Sequence, residues 1–277
     1  MKTHRLSFSL QLIFTLCVCA FLIVPVLMSA LAGLTVNHFV GLESGLTLRW
    51  IVEVWNGYGD TIFRSMGIAL ACLAVTLVLG IPAAYVLAKR SNRLTRAFEE
   101  LLMLPVAVPG LATALALVSV YGSVGNFRGS WTFILVGHVL FTLPFMVRAV
   151  LAVMQALDLK TLEEGAASLG ANLWQRFLHI ILPNCRNGIV AGALMVLTLS
   201  MGEFNLTWLL HTPYTKTLPV GLADAYASMR LEVGSAYTLI FFVMIVPLLL
   251  ATQALAKPRP RKFVDDAPAD EGLAIAK

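Results

Sequence analysis

Three observations predict an all-α membrane protein with six transmembrane helices and a structured cytoplasmic loop between helices four and five. The apolar runs are long, they are continuous rather than alternating, and the positive residues gather on one predicted side. Of the 277 residues, 58% are hydrophobic and only 13% are charged, roughly half the charged share of a soluble domain. The mean hydropathy is +0.83. A folded soluble chain leaves much of its surface exposed and could not hide this much apolar area. These figures argue against a soluble enzyme, a nucleic-acid-binding protein and a disordered chain.

Stretches without Asp, Glu, Lys or Arg cover 6–42, 65–88, 101–127, 129–147 and 233–256, and 187–202 continues apolar past Glu203 to about Leu210. A helix needs roughly 20 apolar residues to cross hydrocarbon about 30 Å thick. The predicted spans are 11–33, 63–88, 99–121, 131–153, 187–209 and 235–256. Continuous apolarity excludes the alternating strands of a spanning barrel. The first span has a second reading. Lys2 and Arg5 precede it and Ala30-Leu31-Ala32 resembles a small-residue cleavage site, as in a signal peptide. Its apolar run is long for a signal core and no soluble domain follows, so a retained helix is preferred.

Orientation follows from Lys and Arg. With the N-terminus inside, the inner side holds Lys2, Arg5, Lys89, Arg90, Arg93, Arg96, Arg148, Lys160, Arg176, Arg186 and five tail residues. The outer side holds Arg49, Arg64, Arg128, Lys216 and Arg230. Fifteen against five places both termini in the cytoplasm of a multi-pass protein. The same count accounts for the net charge of +5 without nucleic acid. The predicted division is 1–60 for the first helix and outer loop, 61–256 for a five-helix core, and 257–277 for a Pro-, Ala- and charge-rich disordered cytoplasmic tail. Cys17, Cys19, Cys72 and Cys185 form no C-x-x-C pair and read as small buried apolar side chains. Pro25, Pro82, Pro105, Pro109, Pro144 and Pro247 fall within spans. Each favours a kink, tolerated where neighbours or a water-filled cavity satisfy the freed carbonyls.

The most informative stretch is 158–183, DLKTLEEGAASLGANLWQRFLHIILP. Thr161 and Glu164 have the spacing of a reciprocal helix cap, and Glu163 and Glu164 then lie in a first turn, favoured by the helix dipole. Gly170 fits a left-handed helix end and Asn172 can cap a second helix. In that helix Leu173, Phe177, Ile180 and Ile181 form one apolar face until Pro183 stops it. One reading is a connecting loop. The other is a short rigid helix presented to the cytoplasm as a docking knob, with alanines allowing close approach.

This segment resembles the signature loop of the integral-membrane permease subunits of binding-protein-dependent ABC importers: E-A-A, three residues, Gly, nine residues, I-x-L-P. Glu164, Ala166, Gly170, Ile180, Leu182 and Pro183 fall on that spacing. Gly165 stands where the family usually has its first Ala and can loosen by about 1 kcal/mol the short helix that Ala166 and Ala167 continue. The likeness extends over roughly 61–256, including LPFMVRAV and SMGEFNLTW. It implies the type I importer fold and a coupling helix at 161–171 that docks on a cytoplasmic ATPase dimer. It also implies a periplasmic solute-binding protein, a second permease subunit forming the other half of the path (a distinct partner rather than a second copy) and the lipid of a bacterial inner (plasma) membrane. The chain has no G-x-x-x-x-G-K-[ST] loop. It therefore cannot be the ATPase, and the resemblance implies a transport subunit and no enzyme, with no cofactor of its own, ATP and Mg being bound by the partner ATPase.

Glu203 lies about fifteen residues into the fifth span, roughly 22 Å along it. An ionisable group there is a candidate for the translocation path or for a buried pair. Arg148 reads as an interfacial residue and His138 as a packing hydrogen-bonder. Trp131, Trp208 and Tyr237 read as interfacial anchors, and the outer loop 209–233 would face a delivery protein. The region around Glu203, with TKTLPVGL after it, resembles the polyamine, phosphonate, ferric-iron and thiamine permease branch. Within it a polyamine or aminoalkyl-phosphonate suits a carboxylate in the path. The alternative is a proton-coupled secondary transporter using Glu203 with His138, although no internal repeat supports paired halves. A membrane-embedded enzyme would need convergent acidic or histidine groups, which Glu99 and Glu100 do not supply. Neither catalytic residues nor a metal site are expected.

Overall fold

In hydrocarbon every backbone N–H and C=O must be satisfied within the segment, which drives long apolar runs into helices. The computed structural model describes residues 2–90 and 92–256. Among them the chain is helical apart from turns and one isolated antiparallel bridge, Thr35 to Leu46. The helices are α1 (Lys2–Ala32), α2 (Arg49–Lys89), α3 (Arg93–Ala107), α4 (Gly110–Tyr121) and α5 (Trp131–Ala156). Next come α6 (Leu159–Ser168), α7 (Leu173–Arg176), a π turn over Phe177–Ile181, and α8 (Leu182–Asn184). The last are α9 (Arg186–Gly202), α10 (Asn205–Leu210), α11 (Leu218–Ala227) and α12 (Leu231–Ala256). The expected tail, 257–277, lies outside the described residues.

Four helices are each long and apolar enough to span a membrane: Phe8–Ala32, Arg49–Lys89, Trp131–Ala156 and Leu231–Ala254. Two bent pairs bring the number to six if each counts as one span. The fold is the expected all-α membrane fold, but two of its predicted straight helices are broken. The span expected over 99–121 becomes α3 and α4 at 100° to each other. Pro109 has no N–H to donate, and Val108 before it is pushed into an extended conformation (φ −87°, ψ 135°). The span expected over 187–209 stops at Gly202, and α10 resumes after an elbow.

α2 begins at Arg49, well before the predicted 63, and runs unbroken through residue 60, where the division into first helix and core was expected. The reason is packing: Trp50, Ile51 and Val54 join Leu218, Val233 and Ala236 in one cluster. α5 is the central helix, held between α2 and α9. A core of Cys72, Ala84, Met146, Val150, Met154, Ile181 and Val196 fills that contact. Small residues bring the backbones together, as membrane packing favours. A Cβ on Gly188 of α9 would lie 2.7 Å from the Ala149 carbonyl oxygen. Between residues 8 and 28, α1 is exposed along its whole length; it packs on α12 only near its end, where Ser29 Oγ also lies 3.2 Å from Tyr226 Oη of α11.

Two smaller expectations change. Cys72 and Cys185 are buried, but Cys17 and Cys19 lie on the open surface of α1, so only the first two act as core residues. Tyr237 is no interfacial anchor: it is buried against Tyr58 and Gly221. Trp131 and Trp208 remain partly exposed.

Candidate functional site

The 158–184 segment is built mostly from short-range bonds. Asp158 caps α6: its Oδ1 accepts from the Thr161 N–H at 3.2 Å and its Oδ2 from the Thr161 hydroxyl at 2.6 Å. These bonds hold the Asp158 carboxyl below the usual range. The helix therefore starts at Leu159, three residues before the expected Thr161–Glu164 cap would allow. Thr161 already bonds to Asp158, so that cap does not form. Gly170 takes φ +82°, as expected. Its N–H donates to Ala167 O (2.9 Å) and the Ala171 N–H to Ala166 O (3.0 Å), which closes α6 with a left-handed cap. Asn172 and Gln175 then cap α7 reciprocally, both bonds at 2.9 Å. Pro183 does not stop the chain. It sits in the first turn of α8, where a missing N–H costs little, and the chain bends by 72° into α9.

The predicted coupling residues divide by face. Glu164, Gly165, Ala167, Gly170 and Pro183 are exposed, Ala166 is buried, and Ile180 and Leu182 are half-buried. Phe177, Ile181 and Leu182 pack into the core. Leu173, assigned by periodicity to the buried face, is instead exposed beside Trp174 and Leu169, which are 73% and 89% exposed. The capped turn 169–172 points these three away from the helices.

Sequence reading missed the tie beneath this segment. Glu163 is buried and takes two donors, Lys89 Nζ at 2.6 Å and the Tyr85 hydroxyl, both from the end of α2. Burial alone would raise its carboxyl pKa, but these two donors outweigh it and hold it below the usual range. Nothing local marks a partner 74 residues away. Asp158, by contrast, was recoverable from its spacing to Thr161.

The two broken spans meet each other at their breaks. A Cβ on Gly110, at the start of α4, would lie 3.1 Å from Asn205 Cβ at the start of α10. Glu203 sits in the elbow and not inside a helix: its Oε1 accepts from the Leu206 N–H at 2.7 Å. His138 on α5 holds the elbow. Its Nδ1 lies 2.8 Å from Ser200 Oγ on α9 and its Nε2 2.8 Å from Thr207 Oγ1 on α10. Thr207 in turn donates to the Glu203 carbonyl at 3.2 Å, so the route from His138 reaches the Glu203 backbone and not its carboxylate. Arg148 is exposed at the rim of a cleft of about 550 Å³ with Arg96, Glu99 and Glu100. Among the described residues no group of three or more His, Cys, Asp or Glu could hold a metal ion.

Residues 77–259 match the family described as "Binding-protein-dependent transport system inner membrane component". The sulfate transport system permease protein CysW of Synechocystis sp. is 29% identical over 216 residues, 71% of this chain and 78% of that one. The putrescine transport system permease protein PotI of Escherichia coli is 26% identical, covering 88% and 90%. The putative 2-aminoethylphosphonate transport system permease protein PhnV of Salmonella paratyphi A is 25% identical, covering 82% and 81%. Among solved structures, a bacterial ABC transporter involved in import of the acidic polysaccharide alginate shares the fold, with a TM-score of 0.68 at 16% identity over 92% of this chain and 96% of that one.

Proposed function

The chain belongs to the family of inner-membrane components of binding-protein-dependent transport systems, and on that premise we propose how it serves its importer. It is the permease subunit of an ABC importer for a small solute, a multi-pass membrane protein working with a separate ATPase and a substrate-binding protein. The reading put forward is that residues 161–183 dock on the cytoplasmic ATPase dimer, which binds ATP and Mg. Both termini then lie in the cytoplasm, and a distinct second permease completes the path. The observation that carries this is the segment itself. A doubly capped turn holds Leu169, Leu173 and Trp174 out in solvent beside the small face of α6, and large exposed apolar side chains so fixed mark a contact surface.

For the solute, we favour an amine-bearing molecule, a polyamine or aminoalkyl-phosphonate. Glu203 at the elbow of two broken spans and the likeness to PotI and PhnV support it. The likeness to CysW favours sulfate as the second reading. The test is affinity purification of the tagged chain, expressed from its native operon, in mild detergent. An ATPase and a second, different permease are expected in the complex, and the associated binding protein is then titrated with putrescine, 2-aminoethylphosphonate and sulfate. A chain that purifies alone overturns the docking reading, and binding of sulfate only overturns the amine reading. Glu203→Gln keeps the carbonyl that caps Leu206 but removes the charge. Uptake is expected to fall with protein amount unchanged, and unchanged uptake leaves Glu203 a helix cap.

A further inference from the structure

We propose that α2 is the strut that carries the docking segment's movement across the membrane, and that Glu163 is the positioning residue fastening the segment to it. The inference rests on 161–183 being the ATPase-docking element. Helix α6 has ten residues, and only Glu163 and Ala166 of them are buried. Its apolar hold is small, Leu159 packing at the edge of the core and Ala166 buried, at about 25 cal/mol per Å². The fixing contact is Glu163, 8% exposed, with Lys89 Nζ at 2.6 Å and the Tyr85 hydroxyl on its two oxygens. The Tyr85 ring also lies 5.3 Å from that of Phe177, so α6 and the π turn are both held on the last turns of α2. A desolvated, doubly bonded carboxylate differs from an exposed pair such as Lys160–Glu164, 3.9 Å apart, which contributes little. Glu163 is the buried member of its pair and Lys89 the exposed one, so what the two donors satisfy is a carboxylate that burial has taken out of water.

The far end of α2 is tied in the same way. Glu53 pairs with Arg230, whose other nitrogen donates to Tyr58 Oη at 3.0 Å, and Arg64 donates to the Lys216 carbonyl at 3.0 Å. Between Glu53 and Lys89 the helix is continuous, roughly 54 Å at 1.5 Å per residue. One continuous helix, with Pro82 inside it, therefore has polar ties to the docking segment at one end and to the α11–α12 corner at the other.

The test uses the whole complex in proteoliposomes, with spin labels on Ser168→Cys in α6 and Gly59→Cys in α2 and with Cys17 and Cys19 replaced by Ser. Gly59 has open space around it. The distance between labels is measured without nucleotide and with ATP trapped by vanadate. In the otherwise unchanged chain it is expected to stay the same in both states. In Glu163→Gln it is expected to shift by about 5 Å in the trapped state, the scale of one helical turn, with the ATPase still co-purifying. A distance that changes without the mutation, or a Glu163→Gln chain that behaves as the parent, overturns the strut. Failure of the ATPase to co-purify with the parent chain instead overturns the docking reading. Should Glu163→Gln not accumulate, Tyr85→Phe carries the same measurement, and a parent-like result with it overturns the proposal.

Discussion

The proposed docking segment, within 158–184, and the elbow at 202–210 are both places where a helix breaks and restarts, but they are held in opposite ways. The docking segment takes its shape from bonds between residues three to five apart, Asp158 with Thr161, Asn172 with Gln175, and Gly170 and Ala171 back to Ala167 and Ala166. The elbow takes its shape from His138, which reaches Ser200 and Thr207 across 62 and 69 residues. The first shows the small face of α6 and the turn after it to solvent, and it is joined to the body through Leu159, Glu163, Phe177, Ile181 and Leu182. The second is locked into the bundle and cannot change without disturbing α5, α9 and α10 together. A transporter driven from one side needs that difference: a handle with its own shape, and a wall that answers only through the core.

Gly170→Val should break the handle most severely. A β-branched residue at φ +82° carries backbone strain of about 1–3 kcal/mol. Uptake in proteoliposomes is expected to be lost while protein amount and ATP hydrolysis persist, and normal uptake would remove Gly170 from coupling. His138→Leu should break the wall. Leaving two buried hydroxyls without their partner is expected to lower stability by about 1–2 kcal/mol, read as a lower unfolding midpoint in detergent. A midpoint at the parent value would show the elbow to be held by packing alone. Asn172→Ala removes one local cap worth about 1 kcal/mol. It should increase hydrogen exchange in 173–176 and leave α9 and α10 unaffected, whereas exchange spreading to α9 would show that the two regions are not separable. Gly165→Ala has the smallest effect. Its Cβ enters open space, so α6 should become more protected by up to about 1 kcal/mol, with uptake equal to or better than that of the parent.

Legibility in the sequence follows the same division. The turn at Gly170, the cap at Asn172 and the small exposed face of α6 could be read from spacing, because each depends on neighbours in the chain. The start of α6 was misplaced because Thr161 has two cap partners in reach and Asp158 wins. The outward position of Leu173 was missed because helical periodicity continues through 173 while the capped turn before it has already set the direction of the chain. The break at Glu203 was hidden by an unbroken apolar run, and the carboxylate that read as a group deep within a span is the cap of the helix after it.

By itself the sequence determined an all-α membrane fold, the break at Pro109, and a segment at 158–183 whose motif spacing resembles one transporter family, while the other five prolines within spans lie inside continuous helices. Those are consequences of hydrocarbon length, missing N–H groups and hydrogen bonds that close within one turn. Only the tertiary structure decided that α2 reaches back to Arg49, that α4 and α10 start against each other, that His138 holds the elbow and that Glu163 joins α6 to Lys89 and Tyr85. Each of these is a contact between residues far apart in the chain, set by which helix packs beside which, and no local pattern encodes it.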